Sequence, residues 1–597
     1  MCGVYGIIGK DAKKLKKNFE CMGDQISHRG PDYSGNFISN NLLLGHKRLS
    51  ILDLSKKSNQ PISSFNNRYL ISFNGEIYNY LELIKEIGLK KTGDTRVLVQ
   101  ILEKYQINGL PKLRGMFAFA FHDKLKGFTY LVRDRFGIKP LYYLKQSNHL
   151  YFSSEIKPLL KISLEVNPEE KVIDDYLRFS LIDHTNKTFF KNIYQLEPGS
   201  YLKIDRFGNI IKKFKWYNLR SKLNTKKINK NLTEQFHSIF EETIKLHLRS
   251  DVKVGLSLSG GIDSKIILDE IIKNYNYKKL NTYSFYFKGE KYSEKTNIKK
   301  NIGEKKFNAN LINQNKLLLT EFRKNILIQE QPFGGVATMA MNNIFKKVKD
   351  DDIKVMITGS GADDIMGGSN REIIYYLSFI EDKKKFNFEL NMFCKNNKLK
   401  KNKILKIISK LKKNNLTSAD GTSAVNDYFL NNKKINKHKI NFKDLKETLI
   451  NRILSNKLPR NLRYEDRNSM YNSVENRVPF LDHVLVEFCL NLPDSYLIKD
   501  GLGKYILRDT LFKYYNCKFA YKNKQSIQTP QTKWILSKVG KKLISSIIEK
   551  KNPFIENYVN LSKVKDFVKS DKINKLNNSN FIWQWICLEK WYEEFIK

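Results

Sequence analysis

The order of apolar and polar positions divides this chain into two stretches of different rhythm. Through about the first 215 residues, short runs rich in apolar and β-branched residues occupy 42–44, 69–73, 117–121, 129–132, 141–144 and 150–153. Turns rich in Asn, Gly and Lys separate them, which predicts antiparallel sheets. Two stretches at helical spacing, 13–27 and 95–105, can cover a sheet face. Residues 218–230 are polar and lysine-rich and read as a linker. Beyond them strands alternate with longer amphipathic helices, as in an α/β domain. Val252, Val254, Leu256 and Leu258 alternate with Lys253, Gly255 and Ser257 as a strand does; Ile266, Ile267, Ile271 and Ile272 follow at helical spacing. Further strands are predicted over 283–287 and 355–357. Ile404, Ile408 and Leu411 form one apolar face backed by lysines, a packed helix with a solvated back.

Composition narrows the picture. At 597 residues the chain holds more than one core, and 41% apolar with 12% aromatic residues describes a globular protein. No run of about 18 apolar residues could span a membrane. The N-terminus lacks the basic-then-apolar order of a signal peptide, which points to a cytoplasmic protein. The six cysteines have neither disulfide-framework nor zinc spacing. The net charge of +45 raises nucleic acid as a partner. The lysines are nevertheless dispersed through both halves without interleaved aromatics, which argues for a compositional bias and against nucleic acid; an anionic surface partner stays open.

Candidate chemistry begins at residue two. Cys is small enough for Met1 to be trimmed, leaving a thiol nucleophile and an α-amine base on one residue; a small buried thiol is the other reading. Arg48 suits a substrate carboxylate, or a surface ion pair. Asn74 beside the Gly75 N–H could hold an oxyanion, or form a hairpin turn. Asp94 stands where a helix begins and could serve only as its N-cap.

A second site follows the strand at 252–258. Ser259-Gly260-Gly261-Ile262-Asp263-Ser264 leads into a helix, and a strand, Gly-rich turn and helix N-terminus make an anion cradle. It is not a Walker A loop. Asp263 would repel a bare anion and makes sense as a Mg²⁺ ligand. After the strand at 355–357, Thr358-Gly359-Ser360-Gly361-Ala362-Asp363-Asp364 supplies a second acid, Asp363.

These runs carry a resemblance. Cys2-Gly3, His28-Arg29-Gly30-Pro31-Asp32, Arg48-Leu49-Ser50-Ile51, Asn74-Gly75-Glu76-Ile77-Tyr78-Asn79, Arg114-Gly115-Met116-Phe117-Ala118-Phe119 and Arg133-Asp134-Arg135-Phe136-Gly137 resemble, in order, the class II glutamine amidotransferase domain of asparagine synthetases. That likeness implies that Cys2 attacks the glutamine amide while Asn74 and the Gly75 N–H stabilise the oxyanion. Arg48, Ile51, Asn74, Glu76 and Asp94 would bind glutamine, Arg48 at its carboxylate and Glu76 with Asp94 at its amino end. The second loop is similar to that of the ATP-pyrophosphatase superfamily, which cleaves ATP to AMP and pyrophosphate. The resemblance implies that Leu258, Ser259, Gly260, Gly261, Asp263, Ser264, Phe287, Thr358 and Gly359 would line the ATP and pyrophosphate site, and that Asp263 and Asp363 would hold Mg²⁺. Lys504, in Gly503-Lys504-Tyr505, could be a surface cation; the resemblance implies that it neutralises charge on the acyl-adenylate and departing pyrophosphate.

The resemblance implies an α+β N-terminal-nucleophile sandwich of antiparallel sheets layered with helices over residues 2–215. An α/β parallel-sheet ATP-pyrophosphatase domain with helical additions follows over 232–597. It implies ATP and Mg²⁺ as cofactors, glutamine and aspartate or another carboxylate as substrates, an ammonia tunnel, and admits a homodimer. One position departs: chains that make asparagine carry glutamate where this one has Ser360, the position implicated in acyl-adenylate formation and capture. Residues 523–531 also look like relatives associated with surface polysaccharides, so a sugar carboxylate is the alternative acceptor. The same ATP loop occurs in RNA-modifying enzymes, where a complete glutaminase half would have no purpose. A regulator that binds nucleotide without turnover is a third reading.

Overall fold

The computed structural model describes residues 2–597 except 224–230, 276–279, 291–292, 304–306, 315–318, 413–427, 432–442, 524–528, 551–552 and 571–578. Most of the predicted linker and of segment 523–531 therefore lies outside the described residues. Strands β1 (Gly3–Ile8), β2 (Tyr33–Ile38), β3 (Leu42–Arg48), β4 (Ile62–Ser63), β5 (Tyr69–Ile77), β6 (Gly115–Asp123), β7 (Phe128–Arg133), β8 (Tyr142–Gln146), β9 (His149–Ser153), β10 (Ile193–Gln195), β11 (Ser200–Ile204) and β12 (Ile210–Lys215) form two antiparallel sheets. Their orders are β10-β8-β9-β1-β3-β2 and β12-β11-β7-β6-β5-β4.

The period-2 alternation of β6 explains the layering. Ala118 and Ala120 face the other sheet and pack with Val4, Leu44, Leu70 and Phe152. Phe117, Phe119 and Phe121 point the opposite way, onto Val97, Leu98 and Ile101 of the helix Asp94–Tyr105. On the outer face of the first sheet, Tyr5 and Ile7 pack against Phe19 and Met22 of the helix Lys16–Asp24. Helix, sheet, sheet and helix thus stack in four layers. The single helix expected over 13–27 is instead a 3₁₀ turn, Ala12–Leu15, followed by that shorter helix.

In the second half, β13 (Val254–Ser257), β14 (Asn281–Tyr286), β15 (Asn308–Asn313), β16 (Val355–Ile357) and β17 (Glu475–Arg477) pair in parallel in the order β15-β14-β13-β16-β17. The order reverses beside β13, and such switch points are where ligands bind, beyond the carboxyl ends of the strands. Both acidic loops leave β13 and β16 there. The halves share a core: Leu49, Ile51, Phe136 and Tyr217 pack in one cluster with Phe236, Phe240 and Phe480. The terminal helix Asn580–Phe595 is buried between them, its Trp583 Nε1 donating to the Phe333 carbonyl at 2.8 Å and its Trp591 ring against Phe189 and Phe190.

Candidate active site

Cys2 lies just ahead of β1 and is 7% exposed. Its main-chain nitrogen donates to Asn74 Oδ1 at 3.0 Å, a bond that ties the first sheet to β5 of the second. Asn74 Nδ2, on the side chain that holds the Cys2 nitrogen, is buried with no hydrogen-bond partner among the described residues. Asn74 and Gly75 are not a hairpin turn: they sit inside β5, which continues through Ile77 because nine residues pair with β6. Gly75 has φ +153°, and a Cβ there would lie 2.0 Å from the Met116 carbonyl oxygen, so no larger residue fits. Burial pushes the Cys2 thiol above its ordinary value, against a weaker pull from its hydrogen bond to the Leu49 carbonyl.

Arg48 is buried rather than a surface ion pair. Its Nη1 donates to the Ser55 carbonyl at 2.9 Å and Asn59 Oδ1 at 2.7 Å, and its Nη2 to the Asp53 carbonyl, fixing the loop that follows Ile51. The Ile51 carbonyl in turn accepts from Asp251 N of the second half at 3.1 Å. Asp94 is the first residue of its helix, after Gly93 at the cap. Its carboxylate turns inward to accept from Ile77 N at 3.1 Å and Thr95 N at 2.7 Å, and burial raises its pKa to about 6. Glu76 lies beside it with Oε2 unpartnered; burial, Glu475 and Asp94 push its pKa well up against the pull of Arg477. Arg477 Nη2 is 3.8 Å from Glu76 Oε1, so β17 reaches under the first site.

The second site is a cavity of about 560 Å³ over the carboxyl ends of β13 and β16. Leu258, Ser259, Gly261, Asp263, Ser264, Thr358, Gly359, Ser360 and Asp363 line it. The loop is held curled: Ser259 N donates to Ser264 Oγ at 3.0 Å and Gly261 N to Ser259 Oγ at 3.1 Å. Lys504 is 1% exposed, not a surface cation, and is not on the cavity wall. Its Nζ donates to both Asp263 oxygens at 2.6 Å and pairs with Asp363 Oδ1 at 2.6 Å. Burial alone would lower its pKa, but the two carboxylates outweigh it and keep the ammonium charged. Gly260 and Phe287 are also off the wall. Phe287 is buried against Phe285, and it is Phe285 that faces the cavity.

Sequence reasoning assigned no role to other wall residues. Tyr176 and Ser180 come from the first half, Trp583 and Gln584 from the terminal helix, and Lys457, Arg460 and Glu465 from the helix Lys457–Tyr471. Gln584 Nε2 donates to the Tyr176 carbonyl and Arg460 Nη1 to the Ser180 carbonyl at 2.9 Å, closing the joint. The two sites are linked by buried charge. Arg29 donates to the Cys2 carbonyl at 3.1 Å, to Glu155 at 2.8 Å and to both oxygens of Asp466 at 2.8 and 3.2 Å.

Comparison with known proteins follows this division. The glutamine amidotransferase domain family matches residues 1–216, and the asparagine synthase family matches residues 235–593, more than half of the chain. This chain belongs to the asparagine synthase family. As a member it is an ATP-dependent ligase that carries its own glutamine amidotransferase domain. It is 28% identical to asparagine synthetase (glutamine-hydrolyzing) 1 of Bacillus subtilis (strain 168), over 99% of this chain and 96% of the relative. Asparagine synthetase (glutamine-hydrolyzing) 2 of the same organism is 32% identical, over 86% of this chain and 69% of the relative. A putative asparagine synthetase (glutamine-hydrolyzing) 2 of Methanocaldococcus jannaschii is 33% identical, over 65% and 79%. Among the described residues no helix is long and apolar enough to cross a membrane.

Proposed function

We propose that this ligase amidates aspartate to asparagine with nitrogen from glutamine. The observation that carries the nitrogen source is the unpartnered Asn74 Nδ2 beside Cys2. With Met1 removed, the nitrogen that now donates to Asn74 Oδ1 becomes an α-amine that can take the thiol proton. Burial favours the neutral thiol, so the thiolate forms on demand as glutamine arrives. Attack on the amide carbon produces an oxyanion for Asn74 Nδ2 and the Gly75 N–H, a contribution of about 3–4 kcal/mol for one such donor. Ammonia leaves, and water releases glutamate from the thioester. Glu76 and Asp94 take the glutamine ammonium; Arg48 supports the loop on the carboxylate side.

In the second half, the curled loop Ser259–Ser264 presents N–H and hydroxyl donors to the ATP phosphates. Asp263 and Asp363 fit Mg²⁺: both face the cavity, and that ion is commonly held by one or two carboxylates together with substrate phosphates. Bound there it supplies positive charge to the phosphates. Lys504, held by the same carboxylates, is the protein's own cation for the pyrophosphate oxygens. The acceptor carboxylate attacks the α-phosphorus, pyrophosphate departs, and ammonia displaces AMP from the acyl-adenylate. Aspartate brings a second carboxylate, for which Lys457 and Arg460 on the wall are the matching cations. Burial and Arg452 depress the Lys457 pKa, a cost that an anionic ligand relieves.

The test is a pyrophosphate-release screen with glutamine, ATP and Mg²⁺ against aspartate, a uronate and other carboxylates. Aspartate-dependent release with stoichiometric asparagine is expected; release with sugar acids alone would reject aspartate. Cys2→Ala is expected to lose glutamine-dependent synthesis and keep ammonia-dependent synthesis, read by amide formation with each nitrogen source. Undiminished glutamine use would reject Cys2 as the nucleophile.

A further inference from the structure

Ser360 faces the cavity between the two acidic loops, and its hydroxyl cannot serve as a base near neutral pH. What lies behind it is a carboxylate. Ser360 Oγ donates a hydrogen bond to Glu465 Oε1, and Asn476 Nδ2 of β17 donates to Glu465 Oε2 at 2.6 Å. Glu465 is 6% exposed, yet it is itself part of the cavity wall, on a helix that also contributes Lys457 and Arg460. Among the described residues no cation pairs with it; Ser360 and Asn476, two neutral donors, hold it. A buried carboxylate without a counter-ion is costly unless it has a task.

We infer that Glu465, acting with the Ser360 hydroxyl, is the general base of the amidation step, occupying from the helix the place that a glutamate at position 360 would fill from the loop. The ammonia nitrogen forms a bond to the acyl carbon as the C–O bond to AMP breaks. The bonding pair leaves on the AMP oxygen, and the surplus N–H proton passes to Glu465, directly or by exchange through Ser360 Oγ. Burial, with the negative charge of nearby Asp364, raises the Glu465 carboxyl while the Ser360 and Asn476 hydrogen bonds restrain it, leaving it above the ordinary glutamate value. A stronger base than an exposed glutamate results. Asn476 positions this carboxylate, and because the neighbouring Arg477 approaches Glu76, one strand serves both sites.

This inference rests on the proposed acyl-adenylate route. The test is a rapid-quench single turnover with full-length enzyme in excess of ATP, with Mg²⁺, ammonium chloride and aspartate, and glucuronate in a parallel arm. Pyrophosphate and amide are read separately. In Glu465→Gln, amide formation is expected to slow at least about a hundredfold, the scale of a lost general base, while pyrophosphate release slows less than about threefold. Ser360→Glu on that background should return amide formation to within about tenfold of wild type, since it restores a positioned base. Equal slowing of both steps, near-normal amide formation in Glu465→Gln, or no rescue by Ser360→Glu would each overturn the inference. Wild-type enzyme releasing no pyrophosphate with either carboxylate would instead overturn the proposed function, and the inference with it.

Discussion

Arg29 offers a quantitative test of how the halves are joined. It is wholly buried, bonded to the Cys2 carbonyl on one side and to Asp466 of the second half on the other. In Arg29→Met, the ion pairs left among the described residues would be Asp466 with Arg467 at 3.1 Å, and Glu155 with His28 at 3.1 Å and Lys157 at 3.5 Å. In Asp466→Asn, Arg29 would keep Glu155, and Arg467 would keep Glu330 at 2.9 Å. Losing one partner of a buried pair costs about 3–5 kcal/mol, and these surviving partners place each single change at the lower end, about 3 kcal/mol. Each tenfold is about 1.4 kcal/mol, so local opening should become about a hundredfold more frequent. Hydrogen exchange on peptides covering 457–477 and 16–29 reads this opening on both sides of the joint. The double variant should fall short of the sum of the singles by about 1.5 kcal/mol or more, as groups in one network do. Strict additivity, or faster exchange confined to 16–29 in Arg29→Met, would refute the linkage.

Two further outcomes follow from the sites. Burial holds Asp94 at about 6 against its ordinary 3.8, so its anion costs stability above that pH and the cost is relieved as pH falls through about 6. The same protonation removes a carboxylate from the glutamine ammonium: KM for glutamine is expected to rise below about pH 6, and Asp94→Asn to show a high KM without that rise; an unaltered pH limb in Asp94→Asn would reject the role. A Cβ on Gly368 would fall 2.0 Å from Asp363 Oδ1 and 2.1 Å from Lys504 Cε. Gly368→Ala should therefore slow ATP-dependent pyrophosphate release about tenfold or more, consistent with about 1–3 kcal/mol of overpacking, with glutamine hydrolysis unchanged as the control.

What the sequence disclosed was mostly local. The apolar run at 117–121 foretold a strand, and the Gly-rich run at 259–264 foretold a strand–turn–helix cradle, because both depend on neighbours in the chain. Asn74-Gly75 misled as a turn signal: pairing along all of β5 overrides the turn preference, and Gly75 is there for close approach to Met116. Lys504 carried no mark of burial, since its two carboxylates lie 241 residues away at Asp263 and in the loop at Asp363. The contact of Glu465 was hidden for the same reason, its partner Ser360 being 105 residues distant. Tyr176, Ser180, Trp583 and Gln584 reach the cavity only through the docking of three chain segments, which no periodicity encodes.

That shared wall bears on how such an enzyme can diverge. The cavity over the loop Ser259–Ser264 is finished on one side by Tyr176 and Ser180 and on another by Trp583 and Gln584, so on the proposed reading the glutaminase half is also part of the acceptor's mould. Recombination that exchanged the N-terminal half between relatives would alter acceptor choice along with the nitrogen supply. The two halves are therefore expected to be inherited as a matched pair, and a chimaera to regain its native acceptor only when the residues around 176–182 travel with the terminal helix.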